Sequence, residues 1–408
     1  MRLNFKKDVM KDIRIIILLL SLVGANWSFA QKKELNQART ILKSGKKAED
    51  AEKLMTTLLK DSANRENKRI YAVWYESVLM QYQAVNEKLY IKQKQDTSQF
   101  YNLTQRLFTI AESLDSLDAQ PDHKGRVAPD FRKANAELLM KYRPNLYYAC
   151  TYYIRKGDFK QAYQYGEKYM DCARQPLFSG YHLDSLDSRM PEVAYWTTYS
   201  GYRLNAPVLT LRYRHLALQD TAKKESTLQF IAEARRQLND DSLYLETLRE
   251  GFRCAPENNY FFPRLMDFYN ARGDNKRALA TVDEALRHDN HSQLFLFAKS
   301  NVLFNMGRYD DSIALSDTLI ALNDSLPDPY YNAGTAYINK ALKLHPLRDK
   351  KLIRQYYASA RPYMERYRKL APSQRQKWGP ALYRVYLNLN MGKQFDEIDR
   401  LLNTGSKP

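Results

Sequence analysis

Residues 259–292 read NYFFPRLMDFYNARGDNKRALATVDEALRHDNHS. Phe262, Leu265, Met266 and Tyr269 are spaced i, i+3, i+4, i+7, which draws one apolar stripe along a helix. Gly273 ends that helix, because glycine enters the left-handed conformation at little cost. Ala278, Val282 and Ala285 mark a second stripe, and the two alanines are small where paired helices come close. Asp289-Asn290 closes the unit. The stretch predicts two antiparallel helices packed as a hairpin.

The same register recurs along the chain. Units open at Glu225, Asn259, Gln293 and Pro327, and 259 − 225, 293 − 259 and 327 − 293 are each 34. Leu296, Leu303, Gly307, Tyr309, Ser312 and Leu319 take the equivalent places in the unit from Gln293. The unit from Glu225 uses Gly251 as its second small residue and stops at Pro256. Pro191 opens another, with Ala194 and Ala217-Leu218, and Arg143 a further one with Leu146, Ala149, Tyr153, Gly157, Phe159 and Ala162. The steps 191 − 143 and 375 − 327 are 48, which is 34 plus 14. The first surplus predicts a loop at Leu177–Met190, and the second an insertion between two helices near His345-Pro346. Trp378 and Ala381 begin the last unit, where the late Gly392 predicts a longer first helix.

This pattern resembles the tetratricopeptide repeat over the units from Arg143 onward. The resemblance implies an all-α fold, a right-handed superhelical solenoid of TPR-like antiparallel helix pairs, whose inner face holds other chains. Upstream the pattern is less regular. Leu35, Ala38, Leu42, Ala51, Met55 and Leu58 fit one hairpin near Lys32. A second near Glu66 has Trp74 and Leu79 on its first helix and Thr97–Leu114 as its second, with Asp115–Val127 as a loop and a weak seam at 118–130. The expected organisation is a signal peptide at 1–30, irregular hairpins at 31–142, a repeat array at 143–374 and a capping hairpin at 375–408, forming one continuous solenoid.

Arg2, Lys6, Lys7, Lys11 and Arg14 precede the apolar run Ile15–Leu20, and Ser28-Phe29-Ala30 places small residues before a cut at Gln31. That is the layout of a secretory signal. A retained anchor is the alternative, although the run is shorter than the roughly 20 apolar residues a span needs. Initiation at Met10 would give a more ordinary signal. The expected location is periplasmic or secreted, with no integral membrane span after the signal is removed. The net charge of +18 falls to 18 − 3 = +15 without residues 1–30, a balance that serves solubility first and suits acidic envelope partners second. Export disfavours nucleic acid as a partner. Glycine is scarce, at 14 residues, and tyrosine abundant, at 31, which suits packed helices.

Catalytic signatures are missing from the sequence. Ser44-Gly45-Lys46 has no preceding strand, and there is no G-x-S-x-G, H-E-x-x-H or Cys-x-x-Cys. His288 and His291 could share a metal, but a zinc site usually wants three or four ligands, and the pair falls in an inter-repeat turn. Asp115-Ser116-Leu117-Asp118 and Asp184-Ser185-Leu186-Asp187 lack the glycine of a calcium loop and read as turn residues. Cys150, Cys172 and Cys254 make no disulfide framework. Cys150 sits where a small buried residue belongs, and a Cys150–Cys172 bridge would join a mid-helix position to a helix end. Neither enzymatic activity nor a cofactor or metal is expected.

The resemblance also implies which first-helix positions line the inner groove. These are Tyr147, Thr151, Ile154 and Arg155; Tyr195, Tyr199, Tyr202 and Arg203; and Gln229, Glu233, Arg236 and Gln237. Further along come Tyr260, Asp267 and Asn270; Phe297, Asn301, Phe304 and Asn305; and Tyr331, Thr335 and Asn339. Aromatics recur at one position, as Tyr147, Tyr195, Phe297 and Tyr331, and asparagines at the later ones. Asparagine donates and accepts at once, which suits an extended peptide, and tyrosine gives contact area with a polar tip. Lysine is absent from these positions, so the carboxylate clamp of chaperone-binding relatives is missing, while Arg155, Arg203 and Arg236 could grip an acidic group. The expected partner is a protein or peptide, with envelope polysaccharide as the alternative. Packing of the tyrosines between neighbouring helices is the competing role.

Overall fold

A computed structural model of the protein describes residues 31–93 and 96–403. The expected signal, residues 1–30, lies outside the described residues. Every regular element among those described is helical. The chain divides into two compact units, one ending at Asp240 and the other beginning at Asp241.

The first unit holds α1 (31–43) and α2 (Ala48–Leu58), then α3 (Lys68–Tyr90), α4 (Thr97–Asp118), α5 (Arg132–Arg155) and α6 (Phe159–Asp171). The short α7 (Leu183–Leu186) follows, with α8 (Met190–Arg203), α9 (Pro207–Arg212), α10 (Arg214–Ala217) and α11 (Lys224–Gln237). Successive helices pack as hairpins. Leu35, Ala38, Leu42, Ala51, Met55 and Leu58 all fall in the core of the first hairpin, the stripe expected of them.

Three local expectations need correction here. Helix α5 begins at Arg132, 143 − 132 = 11 residues before the expected start, and runs through Pro144. Asp115 and Asp118 belong to the last turn of α4, not to a loop. Asp115 takes a two-pronged pair from Arg132, at 2.7 and 2.8 Å, and Asp118 accepts from Lys68 Nζ and from the Phe131 amide, both at 2.8 Å. The two acids thus fasten α4 to the starts of α3 and α5. The surplus at Leu177–Met190 is structured too, with a 3-10 turn at Pro176–Tyr181 followed by α7. Its Asp187 reaches back to the buried Arg143 guanidinium at 2.5 Å and to the Tyr169 hydroxyl at 2.8 Å. All three cysteines are free, Cys150 and Cys172 buried and Cys254 exposed.

The second unit holds α12 (Asp241–Cys254), α13 (Phe261–Ala271), α14 (Asn275–His288), α15 (Gln293–Asn305), α16 (Tyr309–Leu322), α17 (Pro327–Leu342), α18 (Lys350–Leu370), α19 (Arg375–Leu389) and α20 (Gly392–Asn403). Ala278, Val282 and Ala285 are fully buried, as their spacing predicts. A Cβ on Gly251 would lie 2.1 Å from the Phe261 ring, so this close approach of α12 and α13 has no room for a side chain. The surplus after Pro327 is shared between a loop around His345-Pro346 and a 21-residue α18. Gly392 opens α20 rather than turning the chain, and Asn390, at φ +57°, makes the turn.

One turn geometry recurs at six helix ends. Gly157, Asn205, Asn239, Gly273, Gly307 and Asn390 all adopt positive φ. After each of them the next amide reaches back to a carbonyl of the preceding helix, as Asp158 to Tyr153, Asp274 to Tyr269 and Arg308 to Leu303. This caps the orphan carbonyls of the first helix and reverses the chain. The positions 205, 239, 273 and 307 are spaced by 34. The repeat is therefore written in the backbone as well as in the side chains.

Candidate functional site on the first-helix face

On α8, Tyr195, Tyr199 and Tyr202 follow spacings of four and three, which brings them to one side of the helix. Phe230 of α11 falls among them. Its ring lies 6.0 Å from Tyr195, 5.5 Å from Tyr199 and 4.7 Å from Tyr202, stacked in the last case. Trp196 meets Tyr195 and Tyr199 edge-on, and Phe159 meets Tyr199 edge-on at 5.8 Å. The Arg203 guanidinium sits 4.3 Å over Phe159 and donates to the Tyr199 hydroxyl at 2.6 Å. Lys223 Nζ lies 5.3 Å over Tyr195. Six rings and two cations thus form one aromatic patch, in which each aromatic pair is worth about 0.5–1.5 kcal/mol beyond the area it buries. Tyr202 is 38% exposed and Arg203 is exposed, while the other five rings are half-buried.

The remaining first-unit candidates divide by role. Tyr147 is a strut: its hydroxyl donates to Glu192 at 2.8 Å, and Arg189 covers its ring. Burial, helped by the Glu192 carboxylate, pushes that hydroxyl up to about 12. Arg155 is exposed at the end of α5 and donates to the Thr151 carbonyl, and Ile154 packs against the core. Arg236 pairs with Glu233 on its own helix, Gln237 donates to Asn205 at 2.8 Å, and Gln229 is half-buried on α11.

In the second unit the asparagines separate. Asn301 accepts from Asn332 at 2.6 Å, and Asn332 also reaches the buried Ser300, Ser312 and Ser316 hydroxyl cluster. Asn270 and Asn305 are exposed and Asn339 is half-buried, and none of the three makes a side-chain hydrogen bond among the described residues. Phe304 packs edge-on against Tyr309 at 5.6 Å, and Tyr331 against Tyr367 at 5.0 Å with Lys377 Nζ over its ring. Tyr260 lies under the Arg264 guanidinium, Asp267 is exposed and Thr335 bonds back to the Tyr331 carbonyl. Phe297 lines a cavity of about 210 Å³ with Leu294, Leu319, Leu326 and Pro329, and Gln293 and Asp328 complete its lining.

Two features escaped the sequence reading. Phe230, the ring that unites the patch, lies just outside the positions carried over from the repeat pattern. Tyr148, 48% exposed on α5, lies outside those positions as well. Phe230 is the single aromatic residue of α11, so no periodic signal in that helix marks it. Among the described residues no cluster of three or more His, Cys, Asp or Glu could hold a metal, and no helix is long and apolar enough to cross a membrane.

No family model matches the chain, and no curated protein matches it. Solved structures do. The C-terminal part of a TPR repeat-containing protein from Cytophaga hutchinsonii is 12% identical, covering 62% of this chain and 92% of that one, with a TM-score of 0.43. The TPR domain of P58(IPK) is 11% identical, covering 93% and 100%, with a TM-score of 0.26. The TPR2AB-domain:pHSP90 complex of yeast Sti1 is 12% identical, covering 65% and 99%, with a TM-score of 0.25. The type is fixed by the chain's own hairpins: the left-handed turns at a spacing of 34, the small residues at close helix approaches and the buried alanine pair. By that register the chain folds as tetratricopeptide-type helix pairs.

Proposed function

We propose that the protein is an exported, non-enzymatic scaffold that holds a protein or peptide partner against its first-helix face, in a cell-envelope assembly. The observation that carries this reading is the half-exposed Tyr202–Phe230 stack flanked by the Arg203 guanidinium. Aromatic side chains and arginine are the residue types that dominate binding at protein interfaces, because they bury much area at small entropic cost. The second unit, taken by itself, has Asn270 and Asn305 exposed with no side-chain hydrogen bond of their own, and they offer donors and acceptors to a guest backbone there. Export rests on the charged, apolar and small-residue order of residues 2–30.

The test is crosslinking of the exported protein in its own cell, followed by mass spectrometry, for the parent and for a Tyr202→Ala/Arg203→Gln variant. Tyr202 and Arg203 are the exposed members of the patch, so the variant keeps its fold. Loss of one specific polypeptide from the captured set supports the reading. An unchanged set, or retardation of the parent by a polysaccharide in affinity electrophoresis with no polypeptide captured, overturns it.

A further inference from the structure

Helices α18, α19 and α20 of the second unit line an open cavity of about 520 Å³. Its lining carries three cations, Arg368, Lys369 and Arg375, against one carboxylate, Glu365. Most of its polar groups already have partners. Arg368 donates to Glu397 at 2.6 Å and lies over the Trp378 indole, 5.0 Å from the ring centre. The Trp378 Nε1–H donates to the Pro372 carbonyl at 3.2 Å, and the Tyr386 hydroxyl donates to Glu365 at 3.1 Å. These bonds hold the walls in place before any ligand arrives.

Arg375 is the exception. Its Nη2 is buried and has no hydrogen-bond partner. Neither Arg375 nor Lys369 forms an ion pair among the described residues. Buried donors in folded proteins nearly always have an acceptor, and leaving a charged one without it is unfavourable. The cavity therefore lacks one acceptor. A guanidinium fork matches two oxygens of a carboxylate or phosphoryl group, and a neighbouring ammonium strengthens the attraction. The cavity is also too roomy for a bare oxyanion, since a water molecule's share of liquid is about 30 Å³. Pro372 and Trp378 offer apolar wall for an attached organic group.

We infer that this cavity binds a small organic oxyanion, a carboxylate or a phosphate ester, with Arg375 as the forked donor and Lys369 as the second cation. The site is independent of the first-helix patch, and either can stand without the other. The experiment is calorimetric titration of the full chain with two probes that share an aromatic ring, phenyl phosphate and phenylacetate. Binding of either to the parent, weakened roughly tenfold or more by R375Q through loss of the charged donor, supports the site. The arm that binds names the oxyanion. The control is R354Q, the same charge change at an exposed position of α18, which leaves binding unaltered. Because R375Q removes a donor that has no acceptor, its ligand-free melting temperature should stay at or above the parent's. If it melts lower, R375K makes the comparison in a chain that keeps the charge but loses the fork, and weaker binding is again expected. Failure of both probes to bind the parent at millimolar concentration overturns the inference. So does equal binding by the arginine-375 variants and the parent, or an equal loss in R354Q.

Discussion

Gly201 lies where α8 meets the backbone of α9. A Cβ there would stand 2.7 Å from the Thr210 amide nitrogen and 3.0 Å from the Leu209 carbonyl carbon, and backbone yields less readily than a side chain. Alanine in place of glycine favours a helix by up to about 1 kcal/mol, but overpacking of this kind costs roughly 1–3 kcal/mol. Gly201→Ala should therefore lower stability in denaturant titration. Gly392→Ala, whose Cβ would meet nothing, should leave stability unchanged or slightly raised. Asp187 makes a different prediction. Burial raises its pKa, but hydrogen bonds from Arg143, the Arg189 amide and Tyr169 outweigh that, and the net pKa falls below the ordinary carboxylate value. A lowered folded pKa contributes stability that is present above the unfolded value of about 3.9 and is lost as pH falls through the folded value. Asp187→Asn should accordingly flatten the acid limb of the stability–pH curve. Asp187→Ala, which strands the buried Arg143, should cost about 3 kcal/mol near neutral pH. The cysteines follow their burial: desolvation pushes the Cys150 and Cys172 thiols up to about 12, whereas Cys254 is exposed. Thiolate is the reactive form, so a thiol reagent near neutral pH should label one cysteine in the native chain and three in denaturant. Labelling of more than one native cysteine would contradict the buried placement.

Among the elements, Ala278 of α14 tests the helix pairing most directly. It is fully buried, and its place in the sequence predicted a small residue at a close approach. Ala278→Phe should destabilise by roughly 1–3 kcal/mol, and a variant that melts with the parent would mean that the pairing of α13 with α14 is misplaced. The same logic made most hairpins legible beforehand, because glycine turns and paired small residues have few other uses. Surplus segments were not legible in the same way. Lys350, Lys351 and Arg354 suit a solvated loop or the exposed face of a longer helix equally well, and only the packing of Tyr357, Ala360 and Met364 draws α18 back over them. Asp115 and Asp118 looked like turn residues because aspartate favours turns. Their partners Arg132 and Lys68 are remote in sequence, so composition could not reveal the burial. The second helix of the unit from Pro191 is split at Tyr213, whose hydroxyl donates to Asp171 at 3.1 Å. That long-range tether has no periodic signature either. The candidate site was half legible for the same reason: a helix-position rule finds the α8 tyrosines, but not that Phe230 gathers them or that Tyr147 and Asn301 are spent on internal bonds.

At the scale of the molecule, the cores close locally. One cluster runs from Tyr75 to Ala217 in the first unit, another fills the first hairpin from Leu35 to Val73, and a third runs from Tyr330 to Ile398 in the second unit. In repeat proteins each hairpin draws its stability from its immediate neighbours, so a local defect loosens a local stretch before the whole chain yields. Hydrogen exchange read by mass spectrometry should show this. Gly201→Ala should speed amide exchange in α8 to α11 while α15 to α20 keep the parent's protection, and Ala278→Phe should speed it in α13 to α15 while α2 to α6 stay protected. Since each variant is expected to lose a similar 1–3 kcal/mol, a difference in where protection falls reports the extent of cooperativity rather than the size of the insult. Uniform loss of protection along the chain in both variants would mean that the hairpins unfold as one body, and the repeat description would then hold for geometry without holding for energy.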